Sequence, residues 1–283
     1  MHLTIMPLTE NDIATGDAII TASYKAPSTR VPELRRYVRL EPDGWFLVMV
    51  DQFPVGIGGA VTYGDFGYIG LIGVVPEMQH RGIATHLMQH ILDWLTLCGC
   101  EVALLDASPM GQPLYAQLGF VVDDQSEVWL ASPGYATPRN AGGTVAVLTE
   151  SDLPALIAYD TPHFGANRAK VLAALLDEFP GRLLATHDAA GQISGFVLAQ
   201  ERTIGPWIAD NPADAANLLH VARTLPFSQP PSVLLPAANA DGADLLAHAG
   251  FVRQRAHAHM RLGMLVPPRT RADHYGLTSF ALG

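Results

Sequence analysis

The chain carries the same pattern twice, and this repeat limits the folds open to it more than any other feature. Pro7-Leu8-Thr9-Glu10-Asn11-Asp12-Ile13 returns as Val147-Leu148-Thr149-Glu150-Ser151-Asp152-Leu153. In both copies a Thr precedes an Asp by three residues, a capping-box-like helix start placed just after an apolar strand pattern. Leu114-Tyr115-Ala116-Gln117-Leu118-Gly119-Phe120-Val121 returns, 131 residues on, as Leu245-Leu246-Ala247-His248-Ala249-Gly250-Phe251-Val252. Between these landmarks, segments 44–60 and 181–199 both read as β-hairpins with apolar strands. They turn at Asp51-Gln52 and at Asp188-Ala189-Ala190-Gly191. Four matched features in one order predict a duplicated domain. Residues 132–143 are turn formers without periodicity and read as a linker, so the expected division is 1–132, linker 133–142, and 143–283. Each half is then long enough for its own core.

Within the first half the pattern predicts strands at 2–7, 44–51, 54–63, 67–75, 101–106 and 120–130. Helices are expected at 10–23, 31–40, 82–98 and 111–118. The helix over 82–98 is the clearest, because Ile83, Ala84, Leu87, Met88, Ile91, Leu92 and Leu95 form an apolar stripe and Gly99 closes the end. Strands with crossing helices place each half in the α/β (α+β) class, a mixed sheet flanked by helices.

Composition removes several function classes. The chain is 49% hydrophobic and 16% charged, which excludes a disordered protein and predicts substantial cores. No apolar run reaches the roughly 18 residues of a membrane helix, and the longest charge-poor run, 224–240, contains Pro226, Pro230, Pro231 and Pro236. No basic-then-apolar leader is visible, and Cys98 and Cys100 are too close for an easy bridge, so a cytoplasmic protein with reduced thiols is expected. The net charge is −10. With no basic face, nucleic acid is excluded as a partner.

The chemistry is expected in the segment Ile72-Gly73-Val74-Val75-Pro76-Glu77-Met78-Gln79-His80-Arg81-Gly82-Ile83-Ala84-Thr85. A strand stops at Pro76 and a helix opens at Gly82, so a loop presents main-chain N–H groups, reinforced by the helix dipole, to an anion. Such donors hold a pyrophosphate even in an acidic domain, and Arg81 adds a positive charge. The loop is neither a Walker A loop nor a Gly-x-Gly-x-x-Gly turn. Gln79-His80-Arg81-Gly82-Ile83-Ala84 resembles the Gln/Arg-x-x-Gly-x-Gly/Ala signature of the GNAT acyltransferase superfamily, and Leu114-Tyr115 followed by Gly119-Phe120 resembles its second landmark. The resemblance covers residues 3–130. It implies a sheet whose fourth and fifth strands splay to admit acetyl-CoA. Ile72, Gly73 and Val74 would pair with the pantetheine amides. The residues from Gln79 through His80, Arg81, Gly82, Ile83, Ala84 and Thr85 would hold the pyrophosphate. The whole chain further resembles a tandem-GNAT group, through Leu105–Tyr115 and Ile204–Asp210.

Acyl transfer to an amine needs a donor to the developing oxyanion and a proton for the departing sulfur. The family implies the N–H of Val74 for the first. It implies Tyr115 for the second, a phenol near pKa 10 facing a thiol near 8.5. The strand 67–75 lacks the acid that many members use as base. Asp106 is the nearest candidate, with Asp65 behind it; the alternatives are a structural Asp106 and a water chain to solvent. Ser108 is a candidate for positioning substrate or water. At the repeat offset, Asp210, Pro212 and Asp214 stand in the region of the first half's loop, and Leu246 stands opposite Tyr115. The second half should therefore be a fold copy without a cofactor site, acting as scaffold or shaping the acceptor pocket. Asp160, Arg168 and Trp207 are its candidate substrate contacts; alternatively, the Asp and Arg pair with each other and the Trp packs. His86 and His90 lie on a polar helix face and strand alternation puts His257 and His259 on one face, but neither pair has further ligands at metal spacing, so they read as solvated and no metal is expected. The reading is an acetyl-CoA-dependent N-acetyltransferase acting on a primary amine of a small molecule or peptide, monomeric or homodimeric. An acidic cleft would favour a cationic acceptor. The other reading is a non-catalytic acyl-CoA sensor or a protein-binding regulatory module.

Overall fold

In the computed structural model, residues 2–25, 28–133, 144–264 and 271–283 are described. Apart from Pro133, the expected linker lies outside them. The first half runs β1 (Leu3–Pro7), α1 (Ile13–Tyr24), α2 (Val31–Leu40), β2 (Trp45–Val50), β3 (Phe53–Thr62), β4 (Phe66–Val74), α3 (Ile83–Leu97), β5 (Val102–Ala107), α4 (Gln112–Gln117) and β6 (Val121–Ala131). The second runs β7 (Ala146–Val147), α5 (Leu153–Phe164), α6 (Ala169–Glu178), β8 (Leu183–His187), β9 (Ile193–Ala199), β10 (Ile204–Ala209), α7 (Pro212–Ala222), β11 (Ser232–Pro236), α8 (Ala240–His248), β12 (Phe251–Leu262) and β13 (His274–Gly276). The repeat is visible in local chemistry. Thr9 and Asp12 close a capping box before α1, and Thr149 and Asp152 do the same before α5. Gly119 and Gly250, at φ 92° and 78°, end the two short helices in the left-handed conformation that glycine tolerates.

The sheets do not follow the sequence boundary. The first is eight-stranded, in the order β1-β2-β3-β4-β5-β12-β6-β11. β12, from the second half, is inserted between β5 and β6, antiparallel to both; Met260 faces Leu105 on one side and Val122 on the other. β6 in turn pairs with β11 through Val128 and Leu234. Each half therefore lends its last long strand to the other, and the expected domain of residues 143–283 contributes two strands to the first sheet.

The second sheet has the order β13-β10-β9-β8-β7. β13 pairs antiparallel with β10 through Trp207 and Gly276. On its other side, Leu277 N–H donates to the Leu234 carbonyl of β11 at 2.8 Å, and Asn239 Nδ2 donates to the His274 carbonyl at 3.1 Å. β13 thus lies between β10 and β11, the strands that correspond to β4 and β5 of the first half.

Packing binds the halves together. Leu34, Trp45 and Ile57 share one buried cluster with Leu156, Phe164 and Phe196, each large apolar side chain contributing about 1.5–3 kcal/mol. Arg36 on α2 makes a bidentate pair with Glu178 on α6, at 2.6 and 2.7 Å. Segment 277–283 then crosses to the first half: Tyr63 OH donates to the Leu282 carbonyl at 2.8 Å, and Ala281 packs on Gly70 so closely that a Cβ there would lie 2.4 Å from it.

Candidate active site

The site begins where β4 loses a neighbour. Its parallel pairing with β5 runs from Phe66↔Val102 to Ile69↔Leu105 and stops, while pairing with β3 continues to Gly56↔Val74. Leu71 sits in the left-handed region at φ 57°, within the irregular stretch between the Gly59↔Gly70 and Ile57↔Gly73 pairs. Val75 N–H donates to the Val55 carbonyl at 2.9 Å, which fixes the direction of the groups before it. By strand alternation, the N–H and C=O of Gly73 face β3, and those of Ile72 and Val74 face the edge that β5 has left. Gly73 is therefore corrected as a pairing residue for pantetheine, because its main chain is spent in the ladder. The main-chain groups of Ile72 and Val74 are the ones left facing that edge. Two side chains cap their carbonyls: Tyr24 OH donates to Ile72 O at 2.7 Å, and Gln79 Nε2 donates to Val74 O at 3.0 Å.

The loop beyond β4 is built to present N–H groups. His80 and Gly82 are both left-handed, at φ 60° and 77°, a left-handed alternation that turns successive amides toward one side. The first main-chain acceptance inside the helix is His86 N–H on Gly82 O, at 3.1 Å. The N–H groups of His80, Arg81, Gly82, Ile83, Ala84 and Thr85 have no acceptor among the described residues. A Cβ on Gly82 would meet only the His86 ring, at 3.8 Å, so the glycine is required by its backbone angle and leaves the approach open. This surface fits a pyrophosphate: a row of unbonded donors at a helix N-terminus, exposed at His80, Arg81, Gly82 and Thr85, with the Arg81 charge beside it.

Tyr115 on α4 is buried, and that burial pushes its phenol up to about 12. Its hydroxyl has no hydrogen-bond partner among the described residues. Ser108 is beside it: a Cβ on Gly111 would lie 3.1 Å from the Tyr115 ring and 3.5 Å from Ser108 Oγ. Ser108 Oγ also accepts from Gly111 N–H at 3.2 Å, which fixes the start of α4. A cleft of about 240 Å³ opens next to α4, lined by Pro109, Gln112, Gln125 and His257 among others and by no carboxylate.

Asp106 is corrected as a base. Its carboxylate is fully buried, with Oδ2 accepting from Tyr68 OH at 2.5 Å and Oδ1 from Ser126 Oγ at 2.6 Å and His259 Nδ1 at 3.2 Å. Burial alone would raise its pKa, but the His259 bond and charge, Arg271 and Ser126 together hold it at about 2. A carboxylate so weakly basic and so enclosed takes no proton from a substrate. Arg271 extends the network to Ser126 at 2.8 Å and Asp124 at 3.0 Å, so this charge cluster joins both halves at the inserted strand.

The second-half contacts are corrected as well. Asp160 and Arg168 form a bidentate pair at 2.7 and 2.8 Å, both side chains 1% exposed, with Arg168 also on Thr278 Oγ1 and over the Phe164 ring. Neither charge is available to a ligand. Trp207 is fully buried and packs on Tyr275 with ring centroids 5.1 Å apart. His257 and His259 do share a face, but His259 is buried in the Asp106 network, and His257 is half-buried, stacked on Phe280 at 4.3 Å beside the cleft. β10 and α7 are joined by Asp210 and Asn211 alone, and the Asn211 side chain accepts from Asp214 N–H. That loop has neither the length nor the free donors of its first-half counterpart. Tyr24, Gln79 as a side-chain cap and Arg271 had no sequence signal beyond their residue types. Among the described residues no group of His, Cys, Asp and Glu is arranged to hold a metal, and no helix is long and apolar enough to cross a membrane.

Comparison with known proteins agrees with this geometry. Residues 16–120 match the model of the acetyltransferase (GNAT) family, and residues 156–276 match that of an acetyltransferase (GNAT) domain. A Pyrococcus horikoshii protein, provisionally described as an acetyltransferase, superposes with a TM-score of 0.87 at 26% identity, covering 99% of this chain and 96% of that one. A GCN5-related N-acetyltransferase from Sphaerobacter thermophilus gives 0.70 at 16% identity over 97% and 98% of the two chains. A tandem GNAT protein from the clavulanic acid biosynthesis pathway gives 0.61 at 14% identity over 93% and 98%. No curated protein matches the chain by sequence.

Proposed function

Because the chain belongs to the GNAT acetyltransferases, with one such domain in each half, we propose that it is an acetyl-CoA-dependent N-acetyltransferase whose first half alone is catalytic. The observation that supports this best is the pairing of an open β4 edge with the six free N–H groups from His80 to Thr85, an arrangement the second half lacks. Bound acetyl-CoA supplies an activated thioester carbonyl. Ile72 and Val74 offer it main-chain partners, the loop offers its pyrophosphate N–H donors, and the Val74 N–H faces the edge where an oxyanion would be met. Tyr115 is protonated at neutral pH, the state from which an acid for a departing thiolate starts. With Asp106 locked in its network, the acceptor amine loses its proton to water. The acceptor is a primary amine of a small molecule or peptide. The cleft beside α4 carries amide and imidazole groups rather than carboxylates, which favours a neutral, hydrogen-bonding acceptor over a polycation. Calorimetry with acetyl-CoA should find one equivalent per chain, and thiol release with an amine panel should show turnover. Two equivalents would remove the assignment of a single catalytic half, and binding without thiol release would leave a sensor.

A further inference from the structure

The two carbonyls on the open edge of β4 are each held by a side chain, and these side chains come from opposite sides of the site. Tyr24 is the last residue of α1, and it reaches Ile72 O. Gln79 lies five residues beyond Val74 and reaches back to its carbonyl. An exposed strand edge leaves unpaired groups that must find partners, and here these two donors do what a neighbouring strand would do. Both are removable. Tyr24 is half-exposed, and Lys25 after it is left-handed at φ 51°, a conformation that a non-glycine residue adopts at some cost in strain. The Tyr24 ring lies over Gly73, where an added Cβ would come within 3.3 Å of it and 3.1 Å of Ser23 Oγ. Ser23 Oγ is buried without a hydrogen-bond partner, so the end of α1 is not in its best-bonded arrangement. Burial of the hydroxyl raises the Tyr24 phenol, with Tyr115 adding to the shift and Arg30 opposing it.

We propose that Tyr24 and Gln79 are placeholders for the pantetheine arm of the acyl donor: each caps an edge carbonyl of β4 and yields it when the amides of the arm arrive. This rests on the reading of the first half as the acetyl-CoA site.

The test is calorimetry on the full chain with two ligands, acetyl-CoA and 3′-phospho-ADP, which keeps the pyrophosphate and lacks the arm. Tyr24→Phe removes only the phenol hydroxyl, and Gln79→Met removes only the amide donor. Each leaves its carbonyl less well bonded in the free protein and unchanged in the complex. Each variant should therefore bind acetyl-CoA roughly twofold to tenfold more tightly, the net worth of one hydrogen bond, with affinity for 3′-phospho-ADP unmoved. Unshifted or weaker acetyl-CoA binding in both variants overturns the proposal, as does an equal shift with both ligands. If wild-type protein binds neither ligand, the enzyme reading itself falls and takes the placeholders with it.

Discussion

The ends of β4 and β10 are the same place in two copies of one fold, and they have gone separate ways. After β4 the chain spends eight residues, 75–82, before its helix begins; after β10 it spends two. The longer connection lets His80 and Gly82 turn left-handed and leaves a row of amides unbonded. In the shorter one Asn211 caps its own helix and Pro212 has no N–H to offer. The strand edges differ in the same sense. β4 faces a gap beyond Ile69, whereas the matching gap beside β10 is filled by β13, whose three residues are buried. One copy has kept a slot and the other has filled it with its own chain. A binding site in this fold is an edge left deliberately unpaired, and the price of an unused one is a buried strand to cover it.

The largest expected effect asks whether two copies so different are still one folding unit. Asp160→Asn leaves the Arg168 charge buried and uncompensated, 1% exposed, which costs roughly 3–5 kcal/mol. Because β12 is built into the first sheet, the loss should appear as one cooperative transition at lower temperature, with acetyl-CoA binding lost at the same point. Two separated transitions in calorimetry, with donor binding surviving the first, would break the picture of interlocked halves.

Next is the pair Tyr115 and Leu246, which occupy matching positions on α4 and α8. Tyr115→Phe should lower kcat by about a hundredfold, within the usual range for a general acid, while acetyl-CoA still binds. With the wild-type phenol pushed up to about 12, its deprotonation should take no activity away below about pH 10. A variant with full turnover across that range removes Tyr115 from the chemistry. Gly82→Val comes third. A β-branched residue at φ 77° distorts the loop, and donor affinity should fall about tenfold to a hundredfold by calorimetry while the circular dichroism spectrum is retained. Unchanged affinity would mean that the amide row is not where the donor is held.

How much of this was legible in the sequence depended on how local each feature was. The helix expected over 82–98 is found at Ile83–Leu97, and the strand expected over 101–106 at Val102–Ala107, because an apolar stripe and its glycine stop are read within one element. The hairpin turn at Asp51-Gln52 was legible for the same reason; both residues are left-handed. The strand exchange was not. β6 and β12 are long and similarly patterned, and nothing local says which of them lies beside β5. The same gap hid the charge cluster: alternation placed His257 and His259 on one face, but the partners on that face, Asp106 and Phe280, come from 153 and 23 residues away. The candidate donor loop was visible as a strand that stops at Pro76 and a helix that opens at Gly82. The caps on β4 were not, since Tyr24 reaches Ile72 across 48 residues of chain.

The smallest expected effect concerns the point where the two halves share a charge. Asp106 belongs to the first half, and the groups that hold its pKa at about 2 against burial include His259 and Arg271 of the second. Its folded pKa is depressed below the ordinary 3.8, so its stabilising contribution is fully present above that value and is lost as pH falls toward 2. The amount is roughly 2 kcal/mol, spread over that window. Asp106→Asn cannot titrate there. The stability gap between wild type and variant, measured by denaturant unfolding at steps from pH 5 to pH 2, should therefore narrow steadily on acidification. A constant gap would mean that the inserted strand is held by packing alone and that the two halves, for all their exchanged strands, do not share this charge.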